Sequence, residues 1–74
     1  MREWLKRVRK SHGVTMKEMA AALSISESGY CLLENGKRCK ELSVVQLQQI
    51  ADALGMDFWA AAQEELHYIR EVRG

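Results

Sequence analysis

The chain has 74 residues, of which 47% are hydrophobic, none is proline and two are cysteine, with a net charge of +1. A chain this short buries only about 60% of its unfolded surface, which leaves room for one domain with one small core and excludes a second. The Ala-, Leu- and Met-rich composition with five glycines argues for an all-helical fold over a sandwich or barrel, and the elements taken in order below make it a compact all-α fold of five helices.

Residues 2–11 are predicted as the first helix, with Trp4, Leu5 and Val8 inward, a basic outer face, and Gly13 as the stop. His12, at that helix end, is assigned no chemistry. Thr15 and Glu18 have capping-box spacing, Val14 and Met19 can close a hydrophobic staple across it, and Met16, Met19, Ala20 and Leu23 line one helical face. The Ser24-Ile25-Ser26 break is too short for a travelling loop, so a further helix capped by Ser26 must start at once, at an angle to the second. The motif is a helix-turn-helix. At about 100° per residue, Gly29, Tyr30 and Leu33 share one side of the third helix, while Glu27, Ser28, Cys31, Leu32 and Asn35 lie opposite. Asn35-Gly36 ends it with a left-handed residue.

Lys37 to Leu42 reads as a loop. Ser43 and Gln46 offer a second capping box, followed by Val44, Leu47, Ile50, Ala51 and Leu54 at helical spacing, with Gly55 as the stop. Asp57 can cap a fifth helix over 57–73, with apolar positions Phe58, Ala62, Leu66, Ile69 and Val72 and with Trp59 and Tyr68 beside them. That helix is longer than so small a core needs. Its apolar surface from Trp59 to Ile69 therefore predicts a dimer interface at Phe58, Trp59, Leu66 and Ile69, with folding back onto Trp4 as the alternative.

These residues resemble a family, the lambda-repressor-like (Cro/C1, XRE) helix-turn-helix regulators. The family pattern is matched by T-x-x-E-M-A-x-x-L-x-I-S-x-S at Thr15–Ser28, by Y-x-x-L-E-N-G-K-R at Tyr30–Arg38 and by I-A-x-A-L-G at Ile50–Gly55. The match runs over residues 1–58 of a single 1–74 domain. It implies sequence-specific binding of double-stranded DNA by a transcriptional regulator, a repressor by the family's habit, acting as a homodimer on a short pseudo-palindrome. It places base reading at Glu27, Ser28 and Leu32 and implies a structural ion pair between Arg9 and Glu34. Phosphate contacts are expected from Thr15, Lys17, Asn35, Lys37, Arg38 and Lys40, through the backbone at Thr15 and Asn35. The chemistry suits these roles: Glu27 accepts from a cytosine amine, Ser28 donates or accepts, and Leu32 packs on a thymine methyl.

This sequence also departs from the family. Met16 stands where Gln is usual, Ser24 where the turn usually has Gly, and Lys40-Glu41-Leu42 where a shorter, Pro-containing loop is common. The alternative function is a protein-interaction or antitoxin-like module on the same scaffold, with weak or no base reading.

Charge is uneven along the chain. Met1–Lys40 carries nine basic and four acidic residues, and Glu41–Gly74 two basic and six acidic, so a polyanion is drawn to the half holding the helix-turn-helix. No apolar run approaches the roughly 18 residues that cross a bilayer, and M-R-E-W-L-K-R lacks an apolar export core, so a cytoplasmic location is expected, with no membrane partner. Reduced thiols are expected at Cys31 and Cys39. His12 and His67 lack the paired spacing of metal ligands, and the polar singles form no nucleophile–base arrangement. No catalytic residue, metal, cofactor or small-molecule ligand is expected, and the chain reads as a non-enzyme.

Overall fold

The structure, a computed structural model, describes residues 1–37 and 42–73. Among the described residues, five helices and no strands follow in the order α1 (Glu3–Ser11), α2 (Met16–Ala22), α3 (Glu27–Glu34), α4 (Val44–Leu54) and α5 (Phe58–Arg73). No described helix is long and apolar enough to cross a membrane.

Each helix after α1 starts on the same local device. Thr15 and Ser43 accept from the backbone N–H three residues on, while Glu18 and Gln46 reach back to the cap's own N–H. Ser26 accepts from Gly29 N, and Asp57 Oδ2 from the N–H groups of Trp59 and Ala60. The residue before each cap is apolar, as is the fourth helical residue: Val14 with Met19, Ile25 with Tyr30, Leu42 with Leu47, Met56 with Ala61. All eight lie in or against the core, so each staple fixes the entry angle of its helix.

The helix ends are equally uniform. Gly13, Ser24, Gly36 and Gly55 all have positive φ, and the next residue's N–H reaches back to the carbonyl of Arg9, Ala20, Leu32 or Ala51 respectively. This is the Schellman geometry, which satisfies carbonyls a helix terminus would otherwise strand.

The core gathers Trp4 and Leu5 of α1, Met19 and Ala20 of α2, Tyr30 and Leu33 of α3, Leu47, Ile50, Ala51 and Leu54 of α4, and Ala61 and Tyr68 of α5. Two sequence expectations need correction. Val44 is 70% exposed instead of inward, because Leu42, one residue before the cap, is buried and already covers the start of α4. On α5 the buried line is Ala61, Glu65 and Tyr68, while Leu66 and Val72 are exposed. A glutamate inside this line makes the inward face read as polar, and that shifted the predicted stripe by a fraction of a turn.

Among the described residues, four charges are buried in this small core: Arg2, Arg9, Glu34 and Glu65. Glu34 is fully enclosed: Arg9 Nε donates to its Oε2 at 2.8 Å, Arg9 Nη2 to its Oε1 at 3.1 Å, and the Tyr30 hydroxyl to Oε2 at 2.8 Å. The hydrogen bond to Glu34 raises the Arg9 pKa above its ordinary value. Burial, and then the bond to Glu34, holds the Tyr30 hydroxyl protonated far above its usual range. The second pair, Arg2 with Glu65, was not anticipated; Arg2 counts in the sequence as one of many exposed bases, yet it is fully buried. Among the described residues, no buried side-chain nitrogen or oxygen lacks a hydrogen-bond partner.

Removing one partner of a buried pair strands the other charge, at a cost of about 3–5 kcal/mol. Arg9→Met is expected to lower the thermal midpoint by more than about 10 °C for a domain this size, as followed by circular dichroism. Adding Glu34→Met should recover much of that loss, because no stranded charge remains; a single variant as stable as wild type would show that the pair does not hold the fold.

Candidate nucleic-acid interface

The helix-turn-helix is α2 packed on α3, the most extensive helix–helix contact among the described residues. Ala20 is buried at the crossing with nothing beyond its β-carbon, which lets the helices approach. The turn between them is Leu23 to Ser26. Ser24 carries it at φ 57°, the one described residue other than glycine with a positive φ. Ser24 N–H reaches Ala21 O at 3.1 Å, and Ile25 N–H reaches Ala20 O at 3.0 Å. The turn thus keeps the geometry that glycine suits best, at a cost of roughly 1–2 kcal/mol for an L-residue.

On α3, Tyr30 and Leu33 are buried and Gly29 with them, while Glu27, Ser28 and Leu32 are exposed together, Leu32 at 43%. The three side chains therefore share the outer face of α3 over its first two turns. Cys31 is half-buried at the edge, and the Asn35 side-chain amide donates to Cys31 O at 2.9 Å. Lys17 and Lys37 are exposed on either side of this face in sequence.

Two expected phosphate donors are engaged elsewhere. Thr15 N–H donates to Glu18 Oε1 at 3.1 Å, and Asn35 N–H to Cys31 O at 3.0 Å. The capping box and the last helical turn account for both, since an N–H carries a single proton. What Thr15 retains is the proton of its hydroxyl, whose oxygen accepts from Glu18 N. Arg38 and Lys40, also expected at phosphates, lie outside the described residues.

The basic half of the chain is less free than its composition implies. Arg2 and Arg9 face inward, and Arg7 on the outside of α1 pairs with Glu64 of α5 at 2.6 Å. The exposed cations left on this side include Lys10, Lys17 and Lys37. On α5, Trp59 is 71% and Leu66 47% exposed, whereas Phe58 and Ile69 pack partly on the core. Phe58 and Trp59 meet edge to face, 5.4 Å between ring centres. Sequence reasoning missed Arg2 and Glu65, whose signal, two opposite charges 63 residues apart, is invisible without the fold.

A helix-turn-helix family profile matches residues 5–58, well over half of the chain. The chain belongs to the lambda-repressor-like (XRE) helix-turn-helix family. Among curated proteins, this helix-turn-helix chain is similar to an uncharacterized HTH-type transcriptional regulator, YqaF, of Bacillus subtilis (strain 168). The two are 40% identical over 58 residues, which is 78% of this chain and 74% of the relative. No solved structure matches it. The family profile ends at the first residue of α5, so this helix-turn-helix domain packs Glu65 and Tyr68 onto its core from beyond the matched segment.

Replacing Ser24 by glycine should relieve the left-handed strain, offset in part by glycine's greater freedom when unfolded. We expect a net gain of about 0.5–1 kcal/mol, a thermal midpoint about 3–6 °C higher by calorimetry. A midpoint that stays or falls would mean that Ser24 bears no strain.

Proposed function

We propose that this protein binds double-stranded DNA sequence-specifically as a homodimeric transcriptional regulator, repressing by occupying a short pseudo-palindromic site. The observation that carries the reading is the outward grouping of Glu27, Ser28 and Leu32 on α3 above the buried Tyr30 and Leu33. A helix presenting its first turns this way fits the major groove, with base edges met by its N-terminal residues. The family supports DNA-binding regulation in general, and the name of the Bacillus subtilis relative, a transcriptional regulator, agrees with it.

The chemistry of the reading face sets its code. Glu27 offers acceptors only, Ser28 both functions, and Leu32 an apolar surface, so the face suits a cytosine or adenine amine beside a thymine methyl. It lacks the arginine or lysine that takes guanine O6 and N7. Sequence-independent affinity then falls to Lys17, Lys37 and the Thr15 hydroxyl at the phosphates, and this part is salt-dependent. Arg38 and Lys40 belong to the same proposal.

Selection from a random duplex library, followed by titration at several salt concentrations, tests the reading. A recovered consensus and a log–log salt slope of several units are expected, the slope shallower by about 1 in Lys37→Glu. Deoxyuridine in place of the contacted thymidine deletes one methyl, worth about 0.8 kcal/mol or roughly fourfold in affinity. Leu32→Ala should no longer feel that change. Failure to select any sequence would defeat specific binding and favour the protein-interaction alternative.

Homodimerisation through α5 is proposed from Trp59 and Leu66, exposed side by side with the half-covered Phe58 and Ile69. The domain measures 31 × 24 × 22 Å, so two copies abreast can place their α3 helices about 34 Å apart, one turn of the duplex. Trp59→Glu with Leu66→Glu should sediment as a monomer and bind a full site no better than a half-site. A double variant that still sediments as a dimer would move the interface off α5.

A further inference from the structure

The C-terminal end of α3 is held from two sides by charge. From α1 comes Arg9 on the Glu34 side chain. The second hold acts on the backbone: Arg2 Nη1 donates to Leu33 O at 2.6 Å, and Arg2 N–H to Glu34 O at 2.9 Å. These carbonyls belong to the last turn of α3, where a helix has unsatisfied acceptors and where a cation is favoured.

Helix α5 fixes that guanidinium. Glu65 accepts from Arg2 Nε at 3.0 Å through Oε1 and from Nη2 at 3.0 Å through Oε2, a two-point grip that sets the plane of the group. Trp4 Nε1 donates to Glu65 Oε1 at 3.2 Å and so orients the carboxylate. The Tyr68 ring lies under the guanidinium carbon, 4.8 Å from it. Tyr68 also abuts the backbone at Gly36, where a β-carbon would strike its hydroxyl.

We propose that Arg2 and Glu65 are positioning residues for base reading: through them α5 sets the tilt of α3 in the groove. The proposal rests on the DNA-reading function above and names what aims its reading helix. A helix of eight residues spans about 12 Å and has few hydrogen bonds of its own to hold a direction. A tilt of about 10° at its far end carries Glu27 and Ser28 by about 2 Å, several times the roughly 0.5 Å that a positioned hydrogen bond tolerates. Phosphate contacts by flexible lysines are indifferent to such a tilt. Selectivity and bulk affinity therefore separate when the clamp is loosened.

The test compares Glu65→Gln with wild type on the selected duplex and on a random duplex, at a temperature where circular dichroism shows both fully folded. Affinity for the selected site is expected to fall about tenfold, while random-duplex affinity and the salt slope stay within about twofold. Arg2→Met/Glu65→Met supplies the second readout and covers a Glu65→Gln that does not fold. Removing both charges should restore the thermal midpoint but not the donor on Leu33 O, so selectivity should stay low. A folded Glu65→Gln with wild-type selectivity, or a double variant regaining stability and selectivity together, would overturn the proposal. A wild type that selects no sequence would instead bring down the DNA reading, and this inference with it.

Discussion

A single carboxylate, Glu34, governs where α3 can lie. It is fully enclosed, and three donors from two helices converge on its two oxygens. An ionised group in a low-dielectric interior is tolerable only when its lone pairs are filled, so α1 and α3 are not free to slide past each other. The rotation of α3 that brings Glu34 to Arg9 is also the rotation that sinks Tyr30 and Leu33 and turns Glu27, Ser28 and Leu32 outward. The orientation of the outer face is thus a consequence of an interior electrostatic requirement.

Around that constraint, the fold uses one local recipe four times. An apolar residue, a capping oxygen and an apolar residue five positions on start each of α2 to α5, and a left-handed residue ends each of α1 to α4. Such devices act over three to six residues and need no partner from elsewhere. They make short helices definite in length, and seven or eight residues would otherwise be too few to persist. Ser24 is the exception within the recipe, a side chain in the place where glycine sits at Gly13, Gly36 and Gly55. The strain falls in the turn that sets the angle between α2 and α3.

The distribution of charge follows from the same geometry. Of the basic side chains crowded into the N-terminal half, Arg2 and Arg9 serve the interior and Arg7 is paired with α5. Among the described residues, the exposed Lys17 and Lys37 stand before and after the reading face along the chain, and none of the face's own three side chains is a cation. On the proposed function, affinity and discrimination therefore reside in different side chains, lysines for the one and Glu27, Ser28 and Leu32 for the other. Such a division makes the aim of α3 matter more than its charge.

Helix starts, helix stops, the helix-turn-helix and the two faces of α3 were all legible in the residues, because periodicity and capping are local and act before any tertiary contact forms. The Arg9–Glu34 pair was legible only by family resemblance, since nothing in the spacing of two charges 25 residues apart brings them together. Arg2 with Glu65 and the true inward line of α5 were not legible at all. Charged residues are read as solvent-facing because burying one alone is prohibitive, and that rule fails where a distant partner, an indole N–H and a helix end meet at one point. The sequence by itself determined the elements and the outer face of α3. Only the tertiary structure decided which charges were removed from water, because the energy of a buried ion depends on what surrounds it and not on its neighbours along the chain.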